Sequence, residues 1–280
     1  MASPAQNLER SLARRMMRTV EEHTLIAPGD HILVAVSGGK DSYALATLLH
    51  RAVARAPFSF RITAVHVDQG QPGYDGKPLE AWLQQQGMPF EIIREDTYSV
   101  VLDKTPEGGT YCAVCSRLRR GILYSAAQRL GCNKIALGHH LDDALETFLM
   151  NLFFAGKLQA MPAVYRTDDD RFDVIRPLVD VPEQMLRDFS DAMAFPILPC
   201  NLCGSQEGLQ RDQMKALLDR LQQSHPQLRT VMGGALKNVR PSHLLDVDVA
   251  RAWNAAGGEA SRVSRPTSNT LRVLSSPIQT

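Results

Sequence analysis

No apolar run in this chain approaches the roughly 20 residues that a membrane-crossing helix needs. Residues 1–20, MASPAQNLERSLARRMMRTV, carry arginines but no apolar stretch ahead of a cleavage site, so no secretory leader is expected there. A cytoplasmic protein without a membrane anchor is the expectation. An excess of either charge is also missing. Lys and Arg total 31 against 30 Asp and Glu, a formal net charge of +1. Nucleic-acid binding would therefore have to come from local basic patches rather than from a global field. Cysteine is sparse, with five residues, an odd number too low for a disulfide scaffold. No internal repeat of 20 to 50 residues is visible, which excludes solenoids and propellers.

What is present is ordinary globular composition, 44% hydrophobic and 22% charged over 280 residues, enough to bury a sizeable core. Short apolar segments alternate with amphipathic ones. HILVAV (31–36), RITAVHVD (61–68), FEIIRE (90–95), KIALG (134–138) and FDVIRPL (172–178) read as strands. Helices are expected over 8–24, 41–56, 79–87, 116–131, 141–156, 182–193 and 212–226, with a loop at 103–111. This alternation predicts an α/β fold, a doubly wound, mostly parallel sheet of about five strands with added helices. Residues 1–30 are expected to form an N-terminal helical extension, 31–245 the main domain, and 246–280, small, polar and aperiodic, a flexible tail.

The strongest local signal is VAVSGGKDS, 34–42, where the first strand runs into a helix. Gly38 and Gly39 let backbone N–H groups approach an anion closely. The helix start at Asp41 and Ser42 adds donors and a positive dipole end. Ser37 and Ser42 offer hydroxyls and Lys40 a charge. This is not the Walker loop: Val34 stands where that pattern needs glycine, and Asp41 where it needs Ser or Thr. The bland alternative is a glycine-rich turn with no ligand.

Three further features stand beside it. Cys112/Cys115 and Cys200/Cys203 form two C-x-x-C pairs roughly 85 residues apart, much farther than in compact zinc ribbons. A cluster or a catalytic pair fits that spacing better, with a zinc staple or reducible disulfide as the alternative. Cys132 stands alone and reads as a small buried residue. In GHHLDDALET, Gly138 ends a strand and allows close backbone approach, while Asp142, Asp143 and Glu146 open the next helix. Carboxylates there suit Mg²⁺ on phosphates, or simply cap a surface helix. His139 and His140 read as positional or substrate-facing. Arg117, Arg119 and Arg120 follow the first cysteine pair, and Arg10, Arg14, Arg15 and Arg18 crowd the first helix. Arginine at this density suits an RNA backbone or a solvated face. Spacing puts Arg117 and Arg120 near each other and Arg119 on another face. Tyr111, Tyr124, Phe153 and Phe154 could stack bases but at helical spacing are more often core.

SGGKDS resembles the pyrophosphate-binding loop of the N-type ATP pyrophosphatases. Taken with YCAVCSRLRRGILY, ALGHHLDDALETFLMNLFF and LPCNLCGSQ, the chain resembles the tRNA 2-thiocytidine synthetase family over roughly residues 10 to 245. That resemblance implies an adenine-nucleotide α-hydrolase fold. It implies ATP-dependent adenylation of cytidine 32 in the anticodon loop, release of pyrophosphate, and replacement of the 2-oxygen by sulfur with release of AMP. It implies ATP bound by Ser37, Gly38, Gly39, Lys40, Asp41, Ser42, Gly138 and Asp143, with Asp41, Asp143 and Lys40 catalytic and Mg²⁺ at the phosphates. It also implies a [4Fe–4S] cluster on three cysteines with one iron left open for sulfur. These would be Cys112, Cys115 and one of the second pair, Cys203 being preferred to Cys200 because it directly precedes GSQ and a turn. The partners implied are tRNA, contacted by Arg117 and Arg120, a cysteine desulfurase as sulfur donor and, as an option, a second copy of the chain. The alternatives are a 2-thiouridine or lysidine synthetase of the same fold, or a non-catalytic metal-cluster protein that binds RNA.

Overall fold

The computed structural model describes residues 4–105, 111–198 and 210–257. Six strands form one sheet: β1 (His31–Ala35), β2 (Arg61–Asp68), β3 (Phe90–Arg94), β4 (Lys134–Ala136), β5 (Val164–Arg166) and β6 (Asp173–Ile175). Their order is β3-β2-β1-β4-β6-β5. Every neighbouring pair is parallel except β5 and β6. The sheet is the expected α/β, doubly wound arrangement with one strand more than the sequence signalled. The extra strand, β5, is a three-residue antiparallel edge too short for its alternation to register. From β1 the chain builds outward through β2 and β3, then returns to place β4 on the other side of β1. The order therefore reverses between β1 and β4, the point at which parallel sheets open a ligand crevice at their carboxyl ends.

The described helices are α1 (Pro4–Glu22), α2 (Lys40–Val53), α3 (Lys77–Gln86), α4 (Thr97–Lys104), α5 (Tyr111–Leu130), α6 (Leu141–Met150), α7 (Glu183–Met193), α8 (Gln210–Ser224), α9 (Leu228–Leu236) and α10 (Val247–Ala255). Side chains of successive strand residues leave opposite faces, and each face has its own core. Ile32 and Val34 of β1 pack with Leu12 and Met16 of α1, Tyr43 and Leu45 of α2 and Phe189 of α7. Leu33, between them, packs on the other face with Leu123, Ala126 and Ala127 of α5. Tyr43 is buried edge-on against Trp82, ring centroids 4.7 Å apart, and its hydroxyl donates to the Pro196 carbonyl at 2.8 Å. Cys132 is buried in the second core, its thiol pushed up to about 11 by burial, as befits an inert packing residue.

Several elements depart from the sequence reading. The cysteine pair lies on α5, which begins at Tyr111 rather than at 116. Residues 97–104, part of which was read as loop, form α4, capped by the Asp96 carboxylate accepting from Ser99 N at 3.1 Å. After α6 the chain widens into one π-helical turn, Asn151–Ala155. It leaves Phe153 and Phe154 54% and 52% exposed, so neither is core. Contacts divide the chain into compact units at Gly233 and Gly234. Within the second, α10 occupies part of the stretch read as aperiodic, with Asp246 capping it through Asp248 N and Val249 N.

Helix α1 is integral to the first core, because Leu12 and Met16 are fully buried. Leu12→Ala should lower stability by about 2–5 kcal/mol in denaturant unfolding; a change near zero would make α1 a detachable extension.

Candidate functional site

The loop after β1 is shaped by two glycines and one serine. Gly38 sits at φ +88°, left-handed backbone that favours glycine. A Cβ there would also stand 2.9 Å from Leu198 Cβ, whose backbone N donates to the Gly38 carbonyl at 2.9 Å. The Ser42 hydroxyl accepts from Ser37 N at 3.1 Å and donates to the Gly39 carbonyl at 2.8 Å. It is buried and closes the loop on itself, while Ser37 is exposed. Val36, the residue before the loop, is braced by buried His66, which donates from Nδ1 to its carbonyl at 2.7 Å. Tyr74 holds His66 from the other side by donating to Nε2.

A second loop, after β4, meets the first. Gly138 lies so close that an added Cβ would be 3.1 Å from the Asp41 carbonyl carbon and 3.2 Å from Ser42 N. This contact sets the N-terminus of α6 beside that of α2. His140 and Asp143 form a capping box on α6: Asp143 Oδ2 accepts from His140 N at 3.0 Å, and His140 Nδ1 accepts from Asp143 N at 3.4 Å. Asp143 therefore has the structural role of a cap and still lines the cleft. Its other oxygen, Oδ1, is 3.1 Å from Arg211.

The two loops and α5 enclose a cleft of about 680 Å³. Ser37, Gly39, Asp41, Ser42, Gly138 and Asp143 line it on one side, Cys115, Arg119 and Arg120 on another. The structure thus brings the loop, the β4 glycine, both aspartates and one cysteine to a single cavity. Burial raises the Asp41 carboxyl above its ordinary range, against the pull of His140 and Lys40. Its Oδ1 is buried without a hydrogen-bond partner. A buried, unpaired carboxylate oxygen beside Asp143 suits a hard cation. Lys40, by contrast, pairs with Asp41 at 3.1 Å and with Glu183 of α7 at 2.9 Å, and is not among the described residues lining this cleft.

Not every expected residue is where the sequence put it. Asp142 turns away from the cleft: it accepts from Glu183 N at 2.8 Å and ion-pairs with Arg229 at 2.6 Å. Of the three arginines after the cysteine pair, Arg119 and Arg120 line the cleft, whereas Arg117 is exposed outside its lining. Arg10, Arg14, Arg15 and Arg18 are exposed on α1. Cys112 lies one turn before Cys115 on α5; Cys200 and Cys203 lie outside the described residues.

Sequence reasoning missed four participants. Glu183 ties Lys40, Lys215 and Arg187 together. Burial opposes its ionisation, but these three partners outweigh it and hold the carboxyl far below its usual range. Arg176 is buried, donates to His139 Nδ1 at 3.2 Å and lies over the Tyr165 ring at 5.1 Å. Burial keeps His139 neutral, its pKa pushed down to about 4. Arg211 answers the α6 carboxylates. Gln69, at the end of β2, holds Cys115 and Arg119. Its position, directly after a strand and before a glycine, was the available signal.

The family model described as PP-loop domain matches residues 8–195. The chain is 52% identical to the tRNA-cytidine(32) 2-sulfurtransferase of Sorangium cellulosum, over 91% of this chain and 89% of that one. It is 49% identical to the enzyme of the same name from Cytophaga hutchinsonii, over 89% and 87%. Among solved structures, the U34-tRNA thiolase NcsA of Methanococcus maripaludis, determined with its [4Fe–4S] cluster, superposes with a TM-score of 0.64. It covers 84% of this chain and 80% of its own at 22% identity, which establishes the shared fold. By that domain match and by about half of its residues being identical over most of both chains, the chain belongs to the PP-loop family and, within it, to the tRNA-cytidine(32) 2-sulfurtransferases.

Proposed function

We propose that the protein is an ATP-dependent tRNA thiolase that converts cytidine 32 of the anticodon loop to 2-thiocytidine. The observation that carries this reading is the single cleft shared by the Ser37–Ser42 loop and Cys115. Activation and sulfur delivery at one carbon need both within reach of the same base.

In the first step the cytosine 2-oxygen attacks the α-phosphorus of ATP, and pyrophosphate leaves. The loop amides, with the N-terminal ends of α2 and α6, stabilise the charge developing on the phosphates. Lys40 adds positive charge, its position set by Glu183. Asp41 and Asp143 would hold Mg²⁺, which supplies charge neutralisation on the phosphates. In the second step sulfur bonds to the activated carbon, the carbon–oxygen bond breaks, and AMP leaves carrying the original oxygen. A metal-bound sulfur at Cys115 would have an N–H donor and a guanidinium beside it. Cys112, Cys115 and Cys203 would hold the [4Fe–4S] cluster, and a cluster bound by three cysteines supplies an open iron site for sulfur. Arg120 at the cleft and Arg117 on the adjoining surface would contact tRNA phosphates. Sulfur would arrive as persulfide from a cysteine desulfurase, in the cytoplasm, and two thiols, oxidised to a disulfide, would reduce it to the sulfide level before it bonds to carbon. A homodimer is compatible with this scheme.

With tRNA present, the protein should release AMP and pyrophosphate in equal amounts, measured by anion-exchange chromatography. Asp41→Asn and Asp143→Asn should each lower that rate by about a hundredfold or more while the melting temperature stays close to that of the parent. ADP and orthophosphate as products would refute the reading.

Protein purified without oxygen should hold about four irons per chain. Cys112→Ala, Cys115→Ala and Cys203→Ala should each lose them, and Cys200→Ala should keep most. Bleaching by Cys200→Ala but not by Cys203→Ala would exchange the two assignments. Stoichiometric zinc with full activity would remove the cluster.

A further inference from the structure

Gln69 is the last residue before the turn at Gly70, which has φ +70°. The turn is pinned by Gly70 N donating to Asp68 Oδ1 at 3.0 Å. The glutamine side chain is driven inward from this turn and is only 5% exposed. A buried primary amide must satisfy two N–H groups and a carbonyl oxygen. Nε2 donates to Thr97 Oγ1 at 2.9 Å and to Cys115 Sγ at 3.3 Å. Oε1 accepts from Arg119 Nη2 at 2.6 Å. The orientation of the amide follows from chemistry. Arginine has only donors, so the oxygen must face it, which leaves the nitrogen for Thr97 and the sulfur; Cys115 Sγ also stands 3.7 Å from Oε1.

The consequences meet at the cleft. A thiolate bound to metal is a good hydrogen-bond acceptor, and the Gln69 N–H is placed to donate to Cys115 Sγ. Arg119 also passes within 4.0 Å of that sulfur. It lines both the 680 Å³ cleft and a neighbouring pocket of about 160 Å³ that Gln69, His66 and Tyr74 share. Its Nε is buried with no hydrogen-bond partner, which leaves a donor unused inside the walls of the site. One amide therefore sets the sulfur and the cation in a fixed relation.

We propose that Gln69 is a positioning residue for the sulfur-delivering end of the cleft, donating a hydrogen bond to the Cys115 thiolate and fixing the Arg119 guanidinium beside it. The proposal rests on the reading of Cys115 as a cluster ligand. Gln69→Met keeps the length but removes both the donor and the acceptor. Gln69→Glu keeps the shape, turns the donor into an anion and strengthens the tie to Arg119.

Hydrogen bonds to cluster sulfur raise the reduction potential, and negative charge lowers it. Oxygen-free Gln69→Met should therefore retain iron but show a lower midpoint potential in a spectroscopic redox titration, and Gln69→Glu a lower one still. Thiolation turnover should fall about 10- to 100-fold. A residue that merely packs would leave the potential where it was. If iron-loaded Gln69→Met and Gln69→Glu both match the parent in potential and turnover, the proposal is overturned while the cluster stands. If the parent itself binds no iron, the cluster reading fails first and takes the Cys115 contact with it. Gln69→Glu, nearly isosteric, keeps the test decisive if Gln69→Met fails to fold.

Discussion

The arrangement of the cleft depends on one close contact between two backbones. Gly138, after β4, lies against the carbonyl of Asp41 and the amide of Ser42, so close that a Cβ would fit only if one backbone gave way by a few tenths of an ångström. Because the strand order reverses here, the loops after β1 and β4 leave neighbouring strands in opposite senses. They would diverge if a side chain held them apart. Glycine lets the N-termini of α2 and α6 start side by side, so two sets of free N–H groups and two positive dipole ends address the same space. A polyanion is the natural guest of such a space.

The same contact creates an electrostatic difficulty, which a buried charge network resolves. Asp41 is brought beside Asp143 in partial burial; burial first, and the neighbouring carboxylate after it, disfavour Asp41 ionisation. His140 and Lys40 offset this for Asp41, and Arg211 pairs with Asp143. Lys40 is itself steadied by Glu183, the first residue of α7, whose backbone N is held by Asp142. Asp142 thus serves the site indirectly, by fixing the helix that fixes the lysine. Two adjacent aspartates with the same chemistry acquire different tasks because one side chain points into the cleft and the other toward α7.

Much of this was legible in the sequence because it was local. SGGKDS sits between a strand and a helix, and glycines, serines and aspartates there have few other uses. Gly138 could be singled out as a strand-end glycine, though the partner it touches could not. What was not legible was relational. Glu183, Arg211 and Arg176 reach the site from 37 or more positions along the chain from the residues they contact there, a relation that periodicity does not encode. Arg119 and Arg117 differ by two positions, enough to send one into the cleft and leave the other in solvent. β5 escaped notice because three residues carry no period, and α4 because its start signal, Asp96 with Ser99, is a cap without a strong apolar stripe behind it. Phe153 and Phe154 read as core at helical spacing, but the π-helical turn shifts their register and exposes them.

The central claim is that the cytosine oxygen itself attacks ATP and departs with the nucleotide. It is tested most directly by following that atom. Transfer RNA carrying oxygen-18 at O2 of cytidine 32, incubated with the enzyme, ATP, a persulfide donor and a thiol reductant, should yield AMP heavier by one label and 2-thiocytidine free of it. Unlabelled AMP, with the oxygen-18 recovered in water or in free phosphate, would contradict the adenylation of the base.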